Sequence, residues 1–155
     1  MNEKIEILKS LIKKQEAKIS VVGLGYVGLP VACMLADRGF LVTGVDIKQD
    51  RIDAINNGIN PIEGKEPGLA DLLSRVVEDG KLVTTTHYDA LADADIILID
   101  VETPIDEDHI PRYHALKAVC RSLGHVLKKG SLVIVESTIA PGTMERVVRP
   151  LIEES

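Results

Sequence analysis

The chain has 155 residues, a length that suits one globular domain with a buried core and argues against two. Hydrophobic residues make up 45% and charged residues 27%, a balance that excludes intrinsic disorder. The formal charge of -6 at pH 7 and the scarcity of aromatic residues argue against a nucleic-acid partner. No apolar run approaches the roughly 18–20 residues of a membrane helix, so no membrane partner is expected.

Apolar spacing predicts an amphipathic helix in the first segment, residues 1–17, with its periodicity over 3–17. This helix is expected to pack on the domain edge, and a subunit contact is the alternative. Residues 58–68 are rich in Gly and Pro and predict a loop. The remaining predicted helices are 27–38, 49–57, 69–78, 113–128 and 143–153, the last interrupted by Pro150, and the predicted strands are 19–23, 41–46, 82–85, 95–101 and 132–136.

The predicted strands are short and apolar, without polar alternation, which is typical of parallel strands buried on both faces. They are separated by helices along most of the chain. This order predicts an α/β domain over residues 18–155, a Rossmann-type doubly wound parallel sheet with an extra N-terminal helix.

A glycine-rich loop follows the first predicted strand and opens the next helix, with residues 23–28 reading GLGYVG. Gly23 permits a tight turn, Gly25 lets the backbone approach a pyrophosphate, and Gly28 allows close packing of helix on strand. The N–H groups at the helix start favour a bound anion. We therefore assign Gly23, Gly25, Tyr26, Val27 and Gly28 to a dinucleotide-binding loop, with a tight turn that binds no ligand as the alternative.

Asp46 ends the second predicted strand. A carboxylate at this position can accept hydrogen bonds from the adenosine ribose and repels a 2′-phosphate, which favours NAD over NADP. The alternative is an Asp that caps the following helix. Arg51 joins the predicted cofactor-binding residues, although Lys48 and Arg51 are close enough in sequence to leave the choice of cofactor open.

Four segments resemble the UDP-glucose/GDP-mannose dehydrogenase family in order and spacing. Residues 23–30 read GLGYVGLP; residues 52–58 precede EPGL at 66–69; residues 100–106 read DVETPID near the family's CVPTP; and residues 136–143 read ESTIAPGT. Together they cover about residues 18–148, nearly the whole chain. The N-terminal helical extension is more similar to the UDP-N-acetylhexosamine branch, the UDP-GlcNAc and UDP-ManNAc dehydrogenases, than to the UDP-glucose branch.

The resemblance implies a function in polysaccharide biosynthesis. Members of the family oxidise the C6 hydroxyl of a nucleotide sugar to a carboxylate with two NAD in succession, through a catalytic Cys that forms a thiohemiacetal and then a thioester. Thr103 would line the cofactor cleft, and Thr138 would be a catalytic residue beside the nicotinamide, positioning a water or substrate oxygen. Glu66 would belong to a loop that reaches toward the cofactor region. Family dimers form through a central helix beyond this chain, so a monomer and a weak homodimer both stay open.

Some expected features of the family are replaced or missing. Asp100 and Glu102 stand where the common pattern has Cys and Pro, and two acids near a diphosphate are unfavourable unless they point away or cap N–H groups. The catalytic Cys and its assisting Lys and Asn come later in the family's longer chains. Cys33 and Cys120 match neither the position of the family's nucleophile nor its environment. We expect both to be small core residues and the protein to lie in a reducing cytoplasm.

The histidines have no spacing typical of a metal site or a catalytic triad, so no metal is predicted and all four are expected at the surface: His87, His109, His114 and His125. We expect this chain to bind NAD without oxidising a sugar by itself. Two alternatives remain: the N-terminal domain of a β-hydroxyacid dehydrogenase-like enzyme, and a stand-alone NAD-binding regulatory module.

Overall fold

The computed structural model describes residues 2–64 and 66–154. Met1, Lys65 and Ser155, which fall in the predicted first segment, the 58–68 loop and the 18–155 domain, lie outside the described residues. Five strands form one parallel sheet in the order β3-β2-β1-β4-β5. They are β1 (Lys18–Val22), β2 (Leu41–Val45), β3 (Leu82–Thr85), β4 (Ile96–Ile99) and β5 (Leu132–Val135). This order confirms the predicted Rossmann-type doubly wound sheet.

Helices connect the strands and cover the sheet. They are α1 (Asn2–Lys13), α2 (Gly28–Asp37), α3 (Gln49–Asn56), α4 (Leu69–Glu78), α5 (His114–Val126) and α6 (Arg149–Glu153), with a 3-10 turn at Tyr88–Leu91 and a π-helical turn at Met144–Val148. Helices α2, α3 and α5 lie within two residues of their predicted bounds, whereas the first and the last helix differ more clearly from the sequence prediction. Helix α1 ends at Lys13 rather than at residue 17, since Gln15 takes a φ of 59° and turns the chain toward β1. The predicted helix 143–153 is divided next to Pro150, because a π-helical turn at Met144–Val148 leads directly into α6 and Pro150 lies in the first turn of α6.

The core consists of two apolar clusters, one on each face of the sheet. Strand β4 serves both, because its side chains alternate: Ile96 and Leu98 join one cluster, and Ile97 and Ile99 join the other. The first cluster lies under α1, α2, α3 and α4, and the second lies under α5 and the C-terminal helical turns. The sheet is therefore covered on both sides, as parallel strands require.

Strand β5 departs from the predicted burial on both faces. Leu132 is 43% exposed and Ile134 is 38% exposed, whereas the alternate residues Val133 and Val135 pack on the second cluster. In the described sheet β5 is an edge strand with one neighbour, β4, and only one of its faces is covered by a helix layer. The uniformly apolar sequence of this strand does not reveal that difference.

Candidate cofactor-binding site

In the glycine loop between β1 and α2, close packing leaves no room for a side chain at Gly23 and Gly28 but leaves room at Gly25. Gly23 has a φ of 93°, and a Cβ there would lie 2.7 Å from the Asp100 carbonyl oxygen. A Cβ on Gly28 would overlap the carbonyl oxygen of Gly23. Around Gly25, by contrast, no described heavy atom lies within 4 Å of the Cβ position. The space above Gly25 is open to a ligand, and the N-terminus of α2 begins beside it.

Tyr26 and Val27 complete this loop and stay at the surface. Tyr26 is 66% exposed and Val27 is 56% exposed, so neither belongs to the core. Both side chains are accessible next to the open position above Gly25.

Asp46 links the end of β2 to the glycine loop. Its carboxylate accepts hydrogen bonds from the Leu24 N–H at 2.9 Å and the Lys48 N–H at 3.0 Å. Arg51 Nη1 donates to the same carboxylate at 3.0 Å. The Asp46 side chain is 7% exposed and that of Arg51 is 26% exposed, so this charge pair is largely shielded from water. The structure thus brings Asp46 and Arg51 together beside the loop, and the bond to Lys48 at the start of α3 also gives Asp46 a capping function.

The loops that follow β4 and β5 are joined by hydrogen bonds. The Thr103 hydroxyl donates to the Thr138 carbonyl oxygen at 2.8 Å, and the Ser137 hydroxyl donates to the Val101 carbonyl oxygen at 2.6 Å. Thr138 itself is exposed. Because parallel strands end at one edge of the sheet, these loops share an edge with the glycine loop and Asp46.

Tyr113 anchors the loop after β5, a function that sequence reasoning missed. The Tyr113 hydroxyl oxygen accepts the Ala140 N–H at 2.9 Å and lies 3.3 Å from the Thr143 hydroxyl. The bond from the Ala140 N–H, followed by the one from Thr143, lowers the pKa of Tyr113. Periodicity could not reveal this contact, since Tyr113 precedes the first residue of α5 and its partners lie 27 and 30 residues away.

Asp100 is the second residue whose function the sequence prediction missed. Neither of its carboxylate oxygens is accessible to solvent, and no described donor reaches them. Asp100 therefore caps no N–H group among the described residues, and Glu102 is exposed. Burial, and secondarily the neighbouring Glu136, raises the pKa of Asp100 to about 7.

The other residues singled out in the sequence lie outside this cluster. Glu66 is exposed, and its carbonyl oxygen accepts the Leu69 N–H at 3.1 Å at the entry to α4. Cys33 and Cys120 are buried, as predicted, and burial raises their pKa to about 12 and about 11. The four histidines are exposed, also as predicted.

Residues 2–64 and 66–154 make up the part of the chain that the structure describes. They contain no group of three or more His, Cys, Asp or Glu side chains that could hold a metal ion. None of the helices within them has the length and apolar character needed to cross a membrane.

A strand order of β3-β2-β1-β4-β5, a glycine loop at the switch point and an acid at the end of β2 define a Rossmann-type dinucleotide-binding domain. The chain belongs to the UDP-glucose/GDP-mannose dehydrogenase family: residues 17–155 match the sequence model of the family's NAD-binding domain. The resemblance inferred from the four motifs is confirmed, and the β-hydroxyacid dehydrogenase-like alternative is not supported.

Two curated relatives illustrate the similarity. GDP-mannose 6-dehydrogenase of Pseudomonas syringae is 41% identical over 88% of this chain and 32% of its own length. UDP-N-acetyl-D-mannosamine dehydrogenase of Campylobacter jejuni is 44% identical over 88% of this chain and 33% of its own length. Among solved structures, NDP-N-acetyl-D-galactosaminuronic acid dehydrogenase from Methanosarcina mazei is 36% identical, with a TM-score of 0.84 over 95% of this chain and 33% of that one. The chain thus spans about a third of the length of the relatives it matches.

The cofactor of this domain is NAD. The described residues fit it: the open position at Gly25 leaves room for a pyrophosphate at the start of α2, and the Asp46 carboxylate lies at the end of β2, where ribose hydroxyls are held in such folds.

Proposed function

We propose that the glycine loop and Asp46 hold NAD, and that the full-length protein uses it to oxidise the C6 hydroxyl of a nucleotide sugar to a carboxylate. The observation that carries the proposal is the open space above Gly25 between two glycines that the fold requires. When bound, NAD supplies the hydride acceptor for the oxidation. A nucleotide sugar as substrate is inferred from the relatives, whose names specify GDP-mannose and UDP-N-acetyl-D-mannosamine.

Each predicted site residue has a distinct function in this proposal. The N–H groups at Gly25 and at the start of α2 bind the pyrophosphate, with Tyr26 and Val27 covering it. Asp46 accepts hydrogen bonds from the ribose hydroxyls, and Arg51 holds its carboxylate in place.

The two threonines serve the nicotinamide end of the site. Thr103 fixes the backbone at Thr138 through its hydrogen bond, and the exposed Thr138 hydroxyl orients a water or substrate oxygen there. The Thr138 side chain can both donate and accept a hydrogen bond, which this positioning requires.

The proposal also covers the cellular compartment and the oligomeric state. A reducing cytoplasm is compatible with Cys33 and Cys120, which are both unpaired and buried. For the full-length protein we propose a homodimer, because the resemblance places the family's dimer contacts in a central helix beyond these residues, whereas a monomer and a weak homodimer are the two alternatives for this chain alone.

Calorimetric titration with NAD⁺ tests the cofactor site. The wild-type chain is expected to bind with one-to-one stoichiometry, and Gly25→Val should abolish binding while leaving the melting temperature unchanged, since the new side chain enters open space. Asp46→Ala should weaken NAD⁺ binding by about tenfold or more, because a charge-assisted hydrogen bond contributes about 1.5–3 kcal/mol. Asp50→Ala, an exposed acid of α3, is the matched control and should bind normally. Unchanged binding in both site variants would contradict the assignment.

A further inference from the structure

The carboxyl groups of Asp100 and Glu136 lie at equivalent positions on neighbouring strands. The last paired residues of β4 and β5 are Ile99 and Val135, and Asp100 and Glu136 directly follow them. The backbone holds the two residues close together, because the Glu136 N–H donates to the carbonyl oxygen of Ile99, the residue before Asp100, at 3.0 Å. Two carboxyl groups that share a site are unfavourable when both are ionised.

The Asp100 side chain also lies directly against the glycine loop. A Cβ placed on Gly28 would come within 3.1 Å of the Asp100 Cβ, and one placed on Gly23 would lie 2.7 Å from the Asp100 carbonyl oxygen. Neither Asp100 carboxylate oxygen has solvent access or a described donor. An ionised carboxylate left without donors in such a place is costly, and a proton is the donor that the pair itself can supply.

We propose that Asp100 and Glu136 share one proton at neutral pH, and that NAD bound at the adjacent glycine loop increases the affinity of the pair for that proton. The proposal rests on the proposed NAD site. With one group protonated, an O–H of one carboxyl group donates to the carboxylate of the other, which gives one buried Asp100 oxygen a partner and leaves one negative charge instead of two. The diphosphate of NAD⁺ adds two negative charges beside the loop that Asp100 contacts, against one positive charge on the more distant nicotinamide ring, so the net field at Asp100 favours the protonated pair.

Glu136 is the ionisable neighbour of Asp100, and the other groups that face Asp100 are apolar, neutral or exposed. Burial and the charge of Glu136 are what shift the titration of Asp100 upward. Between residues 23 and 36 the glycine loop and α2 contain no Asp, Glu, Lys, Arg or His. Their titratable side chains are Tyr26, which is exposed, and Cys33, a buried thiol whose raised pKa keeps it neutral. β1 presents the apolar Val22, and Glu102 on the chain after β4 is exposed.

The sign of the coupling follows from linkage. If bound NAD raises proton affinity, protons raise NAD affinity by the same factor. The dissociation constant for NAD⁺ is therefore lowest on the acidic side of the pair's titration and increases as pH rises through neutrality. We expect an increase of about 3- to 10-fold between about pH 6 and about pH 8.5, which corresponds to a change of about 0.5–1 unit in the pair's pKa on binding.

Calorimetry of NAD⁺ binding across this pH range tests the coupling in wild type, Asp100→Asn and Glu136→Gln. Each variant removes one carboxyl group at constant size. In both variants the dissociation constant for NAD⁺ should increase less than about twofold over this pH range. Any contribution of the exposed histidines is the same in the variants as in wild type. Repetition of the wild-type titration in buffers of different ionisation enthalpy should show proton uptake near neutral pH. An equal pH dependence in wild type and Asp100→Asn would overturn the coupling.

A second measurement does not require NAD. Carbon-13 NMR of the side-chain carboxyl groups should show Asp100 titrating near neutral pH in the free protein, and Glu136→Gln should move that titration downward. Titration of Asp100 in the ordinary range of an exposed Asp would overturn the shared proton, even if NAD⁺ binds. If Asp100 titrates near neutrality but NAD⁺ does not bind at any pH, the proposed cofactor site and the coupling both fail, while the proton pair stands.

Discussion

At the scale of single residues, the site separates side chains that build the fold from those available to a ligand. Gly23 and Gly28 have no room for a side chain, whereas the position of Gly25 is open. The sequence pattern predicted the tight turn at Gly23 and the close packing at Gly28 correctly, because the neighbours of these glycines follow from the order of strand, loop and helix. The approach of a pyrophosphate to Gly25 stays a prediction. The sequence left the environment of Asp100 open, because its neighbour Glu136 lies 36 positions away in the chain and the contact depends on a strand register that no local pattern specifies.

The raised pKa of Asp100 predicts a pH-dependent stability. The folded protein holds this proton up to about pH 7, whereas the ordinary value is 3.8. Between these pH values the native state binds more protons than the unfolded state, so the free energy of unfolding falls as pH rises and levels off above neutrality. Asp100→Asn should therefore be more stable than wild type at about pH 8, by on the order of 1–3 kcal/mol once screening around the exposed Glu136 is allowed for.

Urea denaturation of wild type and Asp100→Asn at about pH 8 and about pH 4 provides the check. At the lower pH the Asp100 carboxyl group of the folded wild type is protonated, so residue 100 is neutral in both proteins. The stability advantage of Asp100→Asn should shrink toward zero at about pH 4. An equal difference in the free energy of unfolding between the two proteins at both pH values would show that the Asp100 carboxylate is not the cause of that difference.

At the scale of elements, most helices and strands follow from periodicity and from glycine-terminated helix ends. Helix α4 and strand β3 lie at their predicted bounds. The errors arise where tertiary structure decides. Helix α1 stops at Lys13 because the chain must turn to bury Ala17, and β5 exposes one face because it lies at the sheet edge. The hydrophobic pattern records that a strand is apolar but not how many layers cover it.

The Tyr113 hydroxyl holds the far side of the loop after β5, beyond the hydrogen bonds at Ser137 and Thr138. Tyr113→Phe removes the acceptor of the Ala140 N–H and is expected to destabilise the protein by on the order of 1 kcal/mol. The amide of Ala140 should then exchange its hydrogen faster than in wild type. Tyr88→Phe is the matched control, since both rings are partly buried against the second core cluster. Equal exchange of the Ala140 amide in both variants would refute the anchoring function.

At the scale of the whole molecule, the sheet brings together residues that are far apart in sequence. The glycine loop, Asp46, Thr103 and Thr138 follow four different strands, and the parallel arrangement places all of them at one edge. Hydrogen bonds then tie these segments in pairs, Asp46 to Leu24 and Thr103 to Thr138. Motif order alone predicted this edge, because the fold class determines which loops share it. The individual hydrogen bonds required the structure.

The central claim is that this edge binds NAD through the glycine loop, and NMR titration of the nitrogen-15-labelled chain with NAD⁺ tests it most directly. The account predicts saturable chemical-shift changes that are largest at the amides of Gly25, Tyr26 and Val27, with smaller changes next to Asp46 and Thr138. Gly25→Val should show none of these changes while keeping the dispersed spectrum of a folded domain, since its side chain enters open space. Shift changes centred elsewhere on the surface, or the same changes in Gly25→Val, would contradict the account.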